Sequence, residues 1–514
     1  MLAIGLLVDK RANAKFRAVL LVFAGFLVAS SVLGVLMYIW CGFRQPNGFY
    51  SRIAFLLSFL EIWAAAYLLM TRSARPAPGA HMRRRGIQEH SGLASIACCV
   101  AVVAFAVADM GWNAHCTWDD LYTGYPQAQH DAYVEEVDQQ TQEIRTRDTD
   151  AFYRIDKTYN RAGAAFNEGI SHGFSQLSTY SSAHNPRAVA FLNAMGYSTE
   201  GEFSSVYTAP NLVMDSLLGV RYIGTWGLPA GTKPTEVTRA SNGADISYNP
   251  YALSLGFASA TDLADSPMPA GSNPFERQNT LVEQLTGTAT PLYTPIEAHQ
   301  GTNALGMPTW DVEVPAGTIG YVFVQRGENA GSHRPVTLTI DETVIGQEGW
   351  RFANNVRALG PVASDPAPHT ITISPVNETD PIPEHTTCLF YALDMDVFEQ
   401  VISTLKAGEF TPSTFQDGHV AGTYSAAGDT SLVLSIPYDD GWSATVDGHK
   451  AELKSAASGA LSTLALTEGE HAIELSYRSP GMRLGAAVSA CSLIVVGGCA
   501  IAAKRRRTSE TQLL

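Results

Sequence analysis

Residues 91–112 read SGLASIACCVAVVAFAVADMGW. The run is uncharged as far as Asp109, and about 20 apolar residues in helical form cover the ~30 Å hydrocarbon core of a bilayer. Arg83, Arg84 and Arg85 precede it, and a long acidic region follows. Lys and Arg collect on the cytoplasmic side of membrane helices, so the run is expected to pass from inside to outside.

Three further apolar runs fit the same orientation. Residues 16–40 follow Lys10, Arg11 and Lys15; residues 52–70 end before Arg72 and Arg75; residues 482–503 end in Lys504, Arg505, Arg506 and Arg507. The expected fold class is a multi-pass α-helical membrane protein with four transmembrane helices and a large extracytoplasmic α/β plus β-sandwich region. Its expected parts are an N-terminal membrane region (1–111, helices near 16–40, 52–70 and 91–111), a mixed α/β domain (112–300), a β-sandwich-like domain with a terminal helix (301–408), a membrane-proximal β-sandwich (409–481), a last transmembrane helix (482–503) and a basic cytoplasmic tail (504–514). Residues 112–481 are then extracytoplasmic. The segment MLAIGLLV at residues 1–8 is too short to span and lacks a signal-peptide cleavage pattern. It reads as the tail of a preceding membrane helix.

The 514 residues are 46% hydrophobic with a net charge of -15. Residues 1–111 carry +7 and residues 482–514 carry +4, which leaves -26 for residues 112–481. Such an acidic block keeps an exposed domain soluble and excludes nucleic acid as a partner, which would need a basic footprint. Of the seven cysteines only Cys116 and Cys388 fall clearly in the external block. They make no disulfide framework, and spacing leaves open whether the two pair.

The external block changes period along its length. Residues 132–144 have Tyr133, Val137 and Ile144 at helical spacing. Asn185-Pro186 opens a helix and Gly196 closes it; residues 211–218 make another, followed by the strand VRYIGTW. From about Thr309 alternation takes over, at Val312 and Val314, then Ile319, Tyr321 and Phe323, then Val336, Leu338 and Ile340. A helix at 396–405 is expected to open on a capping box of Asp396 and Glu399. A second alternating set, from Leu432 to Tyr477 with the hairpin signal Asp447-Gly448, leads through Pro480-Gly481 into the last helix.

Two residues stand out chemically. Glu61 lies mid-way along the second apolar run, where a carboxyl is expensive: it is either neutral and bonded to Ser30 or Ser31, or it faces a partner helix. Trp442, in the turn Asp439-Asp440-Gly441-Trp442, either stacks on a sugar ring or plugs the end of the sandwich. There is no Walker motif, no HExxH and no G-x-S-x-G, and no cofactor is identified.

Several phrases occur together in a familiar order: FYRI (152–155), LLGVRYIG (217–224), YNPYALSLGF (248–257), NPFERQN (273–279), SIPYDDGWSATVDG (435–448) and GEHAIELSYRSPGMRLG (469–485). With them the chain resembles the YfhO family of bacterial membrane proteins. The resemblance implies a glycosyltransferase of the GT-C type, which takes sugar from a polyprenyl-phosphate donor outside the membrane and adds it to a cell-surface polymer such as lipoteichoic acid. In that superfamily the catalytic acid lies in the first external loop. Here that loop, GFRQPNGFYS at 42–51, holds no Asp or Glu, so no catalytic residue is carried over. The nearest acidic pair, Asp119-Asp120, follows a different helix and reads either as a weak catalytic candidate or as solvated loop acids. A divalent metal enters only if the complete enzyme needs one. Arg154 and Lys157 are candidates to meet a phosphate, or else surface charge pairs. Two functions remain. One is the C-terminal half of a lipid-linked-sugar glycosyltransferase whose catalytic helices sit in a separate N-terminal half. The other is a non-catalytic membrane-anchored module that binds envelope glycan or a partner protein.

Overall fold

The computed structural model describes residues 126–158, 167–225, 237–239, 245–326, 336–348, 355–377 and 386–512, together with residues 107–116 and a few helical positions before them. The chain divides into two compact units, Met1–Tyr125 and Pro126–Leu514. Glu61, Asp119, Asp120 and most of the expected helices at 16–40, 52–70 and 91–111 lie outside the described residues.

The expectation of four transmembrane helices is corrected. Among the described residues no helix is long and apolar enough to cross a membrane. The C-terminal helix, expected to span at 482–503, runs over Met482–Gln512. Gly485, Ser489, Ser492, Gly497 and Gly498 dilute its apolar character. What the structure describes is mainly β-sheet.

Unit two begins with helix α1 (Gln127–Arg147), which buries Val137, Thr141 and Ile144 along one face. These cover a four-stranded sheet ordered Arg154–Lys157, Val220–Thr225, Asp245–Tyr248, Val237–Arg239. Only the first pair is parallel. A short helix α2 (Glu168–His172) follows. Helix α3 (Pro186–Ala194) opens where the Asn185 side chain accepts from the Arg187 N–H, with Pro at the first position. Helix α4 (Leu212–Leu217) is buried on all sides and stops at Gly219, whose φ of 70° suits glycine. A Cβ there would come within 2.9 Å of the Leu253 carbonyl oxygen.

Two β-sandwiches follow, each a five-stranded sheet facing a four-stranded one. In the first, strands 298–302, 308–314, 367–375, 336–340 and 343–348 lie side by side, opposite 356–358, 318–326, 386–394 and 293–295. In the second, strands 411–416, 419–426, 469–477, 442–446 and 449–451 lie opposite 453–456, 461–466, 430–434 and 256–259. The four-stranded sheets are buried on both faces. Val322 and Val324 point into the first sandwich, whereas Ile319, Tyr321 and Phe323 point out of it. The outward set meets helices α5 (Pro274–Thr286) and α6 (Met395–Lys406), and so does Val433 of the second sandwich. One central apolar layer therefore joins both sandwiches to α3 and α4.

Helix α5 opens on Asn273, whose side chain accepts from the N–H groups of Phe275 and Glu276 and donates to the Tyr391 hydroxyl at 3.1 Å. Asn273→Ala removes the cap and one buried partner, so urea denaturation should show a loss of about 1–2 kcal/mol. An unchanged midpoint would mean that the central layer holds the helix without its cap.

The two sandwiches also repeat a detail. Asp341 (φ 47°) and Asp447 (φ 53°) each sit in a hairpin turn. Each carboxylate accepts from the neighbouring strand's N–H, Thr370 at 2.9 Å and Ala472 at 2.8 Å. Each also meets a histidine Nδ1, His369 at 2.6 Å and His471 at 2.8 Å. Sequence and clasp superpose as VTLTID with WSATVD and APHTITISP with GEHAIELSY. The second sandwich thus repeats the first in the order of its five-stranded sheet and in this clasp, whereas the four-stranded sheets order their strands differently.

Candidate functional site

Trp442 is half-buried and contacts the Tyr477 ring edge-on, with centroids 5.1 Å apart. The two residues face each other across paired strands. They form one wall of an open cleft of about 680 Å³. Asp439, Asp440 and Tyr438 line its floor, and His184 and Arg187 at the start of α3 line the other side.

The turn is held in shape before any ligand arrives. The Asp439 carboxylate accepts from the Gly441 N–H at 2.8 Å, and the Trp442 N–H donates to the Asp439 carbonyl at 3.1 Å. The Asn185 amide donates to the Tyr438 carbonyl at 3.1 Å, which ties the two sides of the cleft together. Burial, and then the neighbouring Asp439, hold the Tyr477 hydroxyl above the ordinary tyrosine range. The cleft offers an aromatic edge, two carboxylates as acceptors and a guanidinium as donor. That set can hold a sugar ring by its apolar face and its hydroxyls at once.

The first sandwich holds different residues at the matching positions. In the first sandwich the positions equivalent to Trp442 and Tyr477, counted from the Asp–His clasp, are Val336 and Pro375, paired in the same register. Val336 is fully buried. The aromatic pair is therefore particular to the second sandwich at these two positions, where Trp442 also packs against the sandwich core.

The other candidates do not assemble a site. Arg154 is not open to a phosphate: its guanidinium donates to the Leu218 carbonyl and to Ser435, and burial lowers its pKa to about 10. Lys157 pairs with Glu168. A second hollow of about 420 Å³ lies beside Tyr222 and Tyr248, but its Arg221 is bound to Asp148 at 2.8 Å and Asp150 at 2.6 Å. Cys116 and Cys388 are both free thiols, and burial pushes Cys388 up to about 12. Among the described residues no three His, Cys, Asp or Glu side chains are grouped to hold a metal ion.

Sequence reasoning missed Tyr477 and Arg187, which lie far from Trp442 in the chain. It also missed two deeply buried carboxyls, Asp156 and Asp215. Asp156 accepts from Leu177 N–H at 2.7 Å and the Ser178 hydroxyl at 2.8 Å, and burial raises it to about 6. The only signal for Asp215 is one acid inside the apolar run LVMDSLLG.

A family model described as "Bacterial membrane protein YfhO" matches residues 1–78 and 90–489. The chain belongs to the YfhO family. No curated protein matches this YfhO-family chain. Among solved structures it is similar to a Paenibacillus sp. cycloisomaltooligosaccharide glucanotransferase at 8% identity, over 35% of this chain and 44% of that one, with a TM-score of 0.13. It is similar to the CUB1-EGF-CUB2 domain of human MASP-1/3 at 9% identity, over 36% and 100%, with a TM-score of 0.14. A third is the dimeric latent PorU of Porphyromonas gingivalis at 12% identity, over 50% and 28%, with a TM-score of 0.13. The YfhO-family chain thus spans less than half of the first of these, and likenesses this slight bear on neither its fold nor its function.

Proposed function

We propose that this YfhO-family protein holds envelope glycan outside the cytoplasm, in the cleft of Trp442 and Tyr477. The observation that carries the reading is the aromatic pair, half-buried Trp442 and exposed Tyr477, on the wall of the cleft, where the matching positions of the first sandwich hold Val336 and Pro375. Within a glycosyl-transfer system this cleft would present the acceptor. The donor, a polyprenyl-phosphate sugar, would come with a separate helical half. Helix α7 (Met482–Gln512) follows the second sandwich directly and exposes Leu484, Val488, Leu493, Ile494 and Val496. An apolar surface of this kind fits lipid contact and would keep the cleft near the membrane.

The test is calorimetric titration of the full chain in detergent with oligosaccharides of the producing cell's envelope. Trp442→Ala removes the main apolar face, and a buried Trp contact is commonly worth about 2 kcal/mol, so affinity should fall about thirtyfold. Denaturation of the variant should remain cooperative. Equal affinity of the two proteins would refute the cleft as the glycan site.

A further inference from the structure

The charges around the cleft say which glycan it takes. Asp439 and Asp440 line its floor. The Tyr438 hydroxyl donates to the Asp440 carboxylate at 3.3 Å, and burial, followed by Asp440, holds it above the ordinary tyrosine range. Against these stand Arg187 and His184. His184 directs Nδ1 at the Asn185 carbonyl, 3.1 Å away. Arg187 lies along the backbone of Gly459, where a Cβ would come within 2.8 Å of its Nη1, so glycine there leaves the guanidinium its place on the rim. The surrounding block carries -26 over residues 112–481.

We infer that the cleft selects uncharged sugar residues and turns away glycans that carry phosphodiesters. The inference rests on the glycan reading above and narrows its substrate class. Sugar hydroxyls can donate to Asp439 and Asp440 and accept from Arg187 while a ring face lies on Trp442. A phosphate in the same place meets carboxylates at close range, and like charges brought together across an interface are strongly disfavoured. The acidic block adds a field of the same sign, which slows the approach of any polyanion. This departs from the teichoic-acid-like polymer that the family resemblance implies: the part of such a polymer that fits is a sugar substituent, not the phosphate backbone.

Titration of the full chain in detergent with maltohexaose, chitohexaose and poly(glycerol phosphate), at 50 and 500 mM NaCl, tests it. At least one neutral oligosaccharide should bind, lose affinity in Trp442→Ala and keep its affinity across the salt range. The polyanion should bind at least tenfold more weakly. Asp440→Lys should narrow that gap by raising polyanion affinity at low salt. Tighter, Trp442-dependent binding of poly(glycerol phosphate) that fades with salt would overturn the substrate class and leave the glycan reading standing. If no probe binds in a Trp442-dependent way, the glycan reading itself fails and this inference falls with it.

Discussion

Asp215→Ala should destabilise the protein by about 3–5 kcal/mol, because it strips the partner from three buried donors at once. Asp215 is 1% exposed at the centre of α4. It accepts from the Tyr197 hydroxyl at 2.7 Å, the Tyr207 hydroxyl at 2.8 Å and the Asn211 N–H at 2.9 Å. Both tyrosines and Asn211 are themselves buried, so no water replaces the lost carboxylate. Guanidinium denaturation measures the loss directly, and a cost under about 1 kcal/mol would mean that the donors find other acceptors.

The same residue should make stability fall with pH. Burial, the largest cause, raises Asp215 to about 7 despite its three hydrogen bonds. In the unfolded chain the group titrates near the ordinary value of about 4. Between those limits the folded protein holds the proton and the unfolded chain does not. Stability is therefore greatest below about pH 4 as far as this group is concerned, drops by up to about 1.4 kcal/mol per pH unit towards pH 7, and then levels. Asp156, raised to about 6, adds a slope of the same sign that ends earlier. Asp215→Asn removes one titration and keeps the shape, so the decline between pH 6 and 7 should flatten. A wild-type curve that is level across pH 5–7 would sink the account.

Strands were legible in the sequence wherever one residue in two is apolar. Val312 and Val314 show it, as do Leu338 and Ile340. Helix starts were legible to within a turn. Asp396 was expected to cap α6, but the residue whose side chain accepts from Asp396 N–H and Val397 N–H is Asp394. Two acids of one type, two positions apart, cannot be ranked until the backbone bends. The membrane helices were read from hydropathy and basic flanks alone, and neither quantity reports what a helix packs against. The likeness of the two five-stranded sheets was hidden because little more than the T-[IV]-D and H-x-I-x-[IL]-S residues are shared by both. The sequence separations of the clasp partners also differ, 28 against 24. At the cleft, Trp442 was legible as an aromatic in an acidic turn. Its partners were not, because Tyr477 and Arg187 reach it only through strand pairing and the docking of α3.

Gly441→Ala should abolish glycan binding, with affinity falling about a hundredfold, more than any change to one side of the cleft. A Cβ at this position would stand 2.5 Å from Tyr477 Cε2, 2.6 Å from the Arg478 carbonyl oxygen and 2.9 Å from an Asp439 carboxylate oxygen. The tyrosine ring can rotate away, but the carbonyl is backbone, and its residue is fixed to the turn because the Arg478 N–H donates to the Gly441 carbonyl at 2.8 Å. The turn must therefore shift, and it carries Asp439, Asp440 and Trp442 with it. Overpacking of this kind costs about 1–3 kcal/mol of stability, which a sandwich core containing Leu432, Leu434, Leu464 and Ile473 can sustain. The expected result is a cooperative, somewhat less stable protein that no longer binds. Trp442→Ala loses one stacking face, whereas Gly441→Ala misplaces the aromatic pair and both carboxylates together, and groups that act as a unit fail as a unit. Full binding in Gly441→Ala with the turn displaced would show that ligand does not touch this wall, and would move the site to the Arg187 side of the cleft.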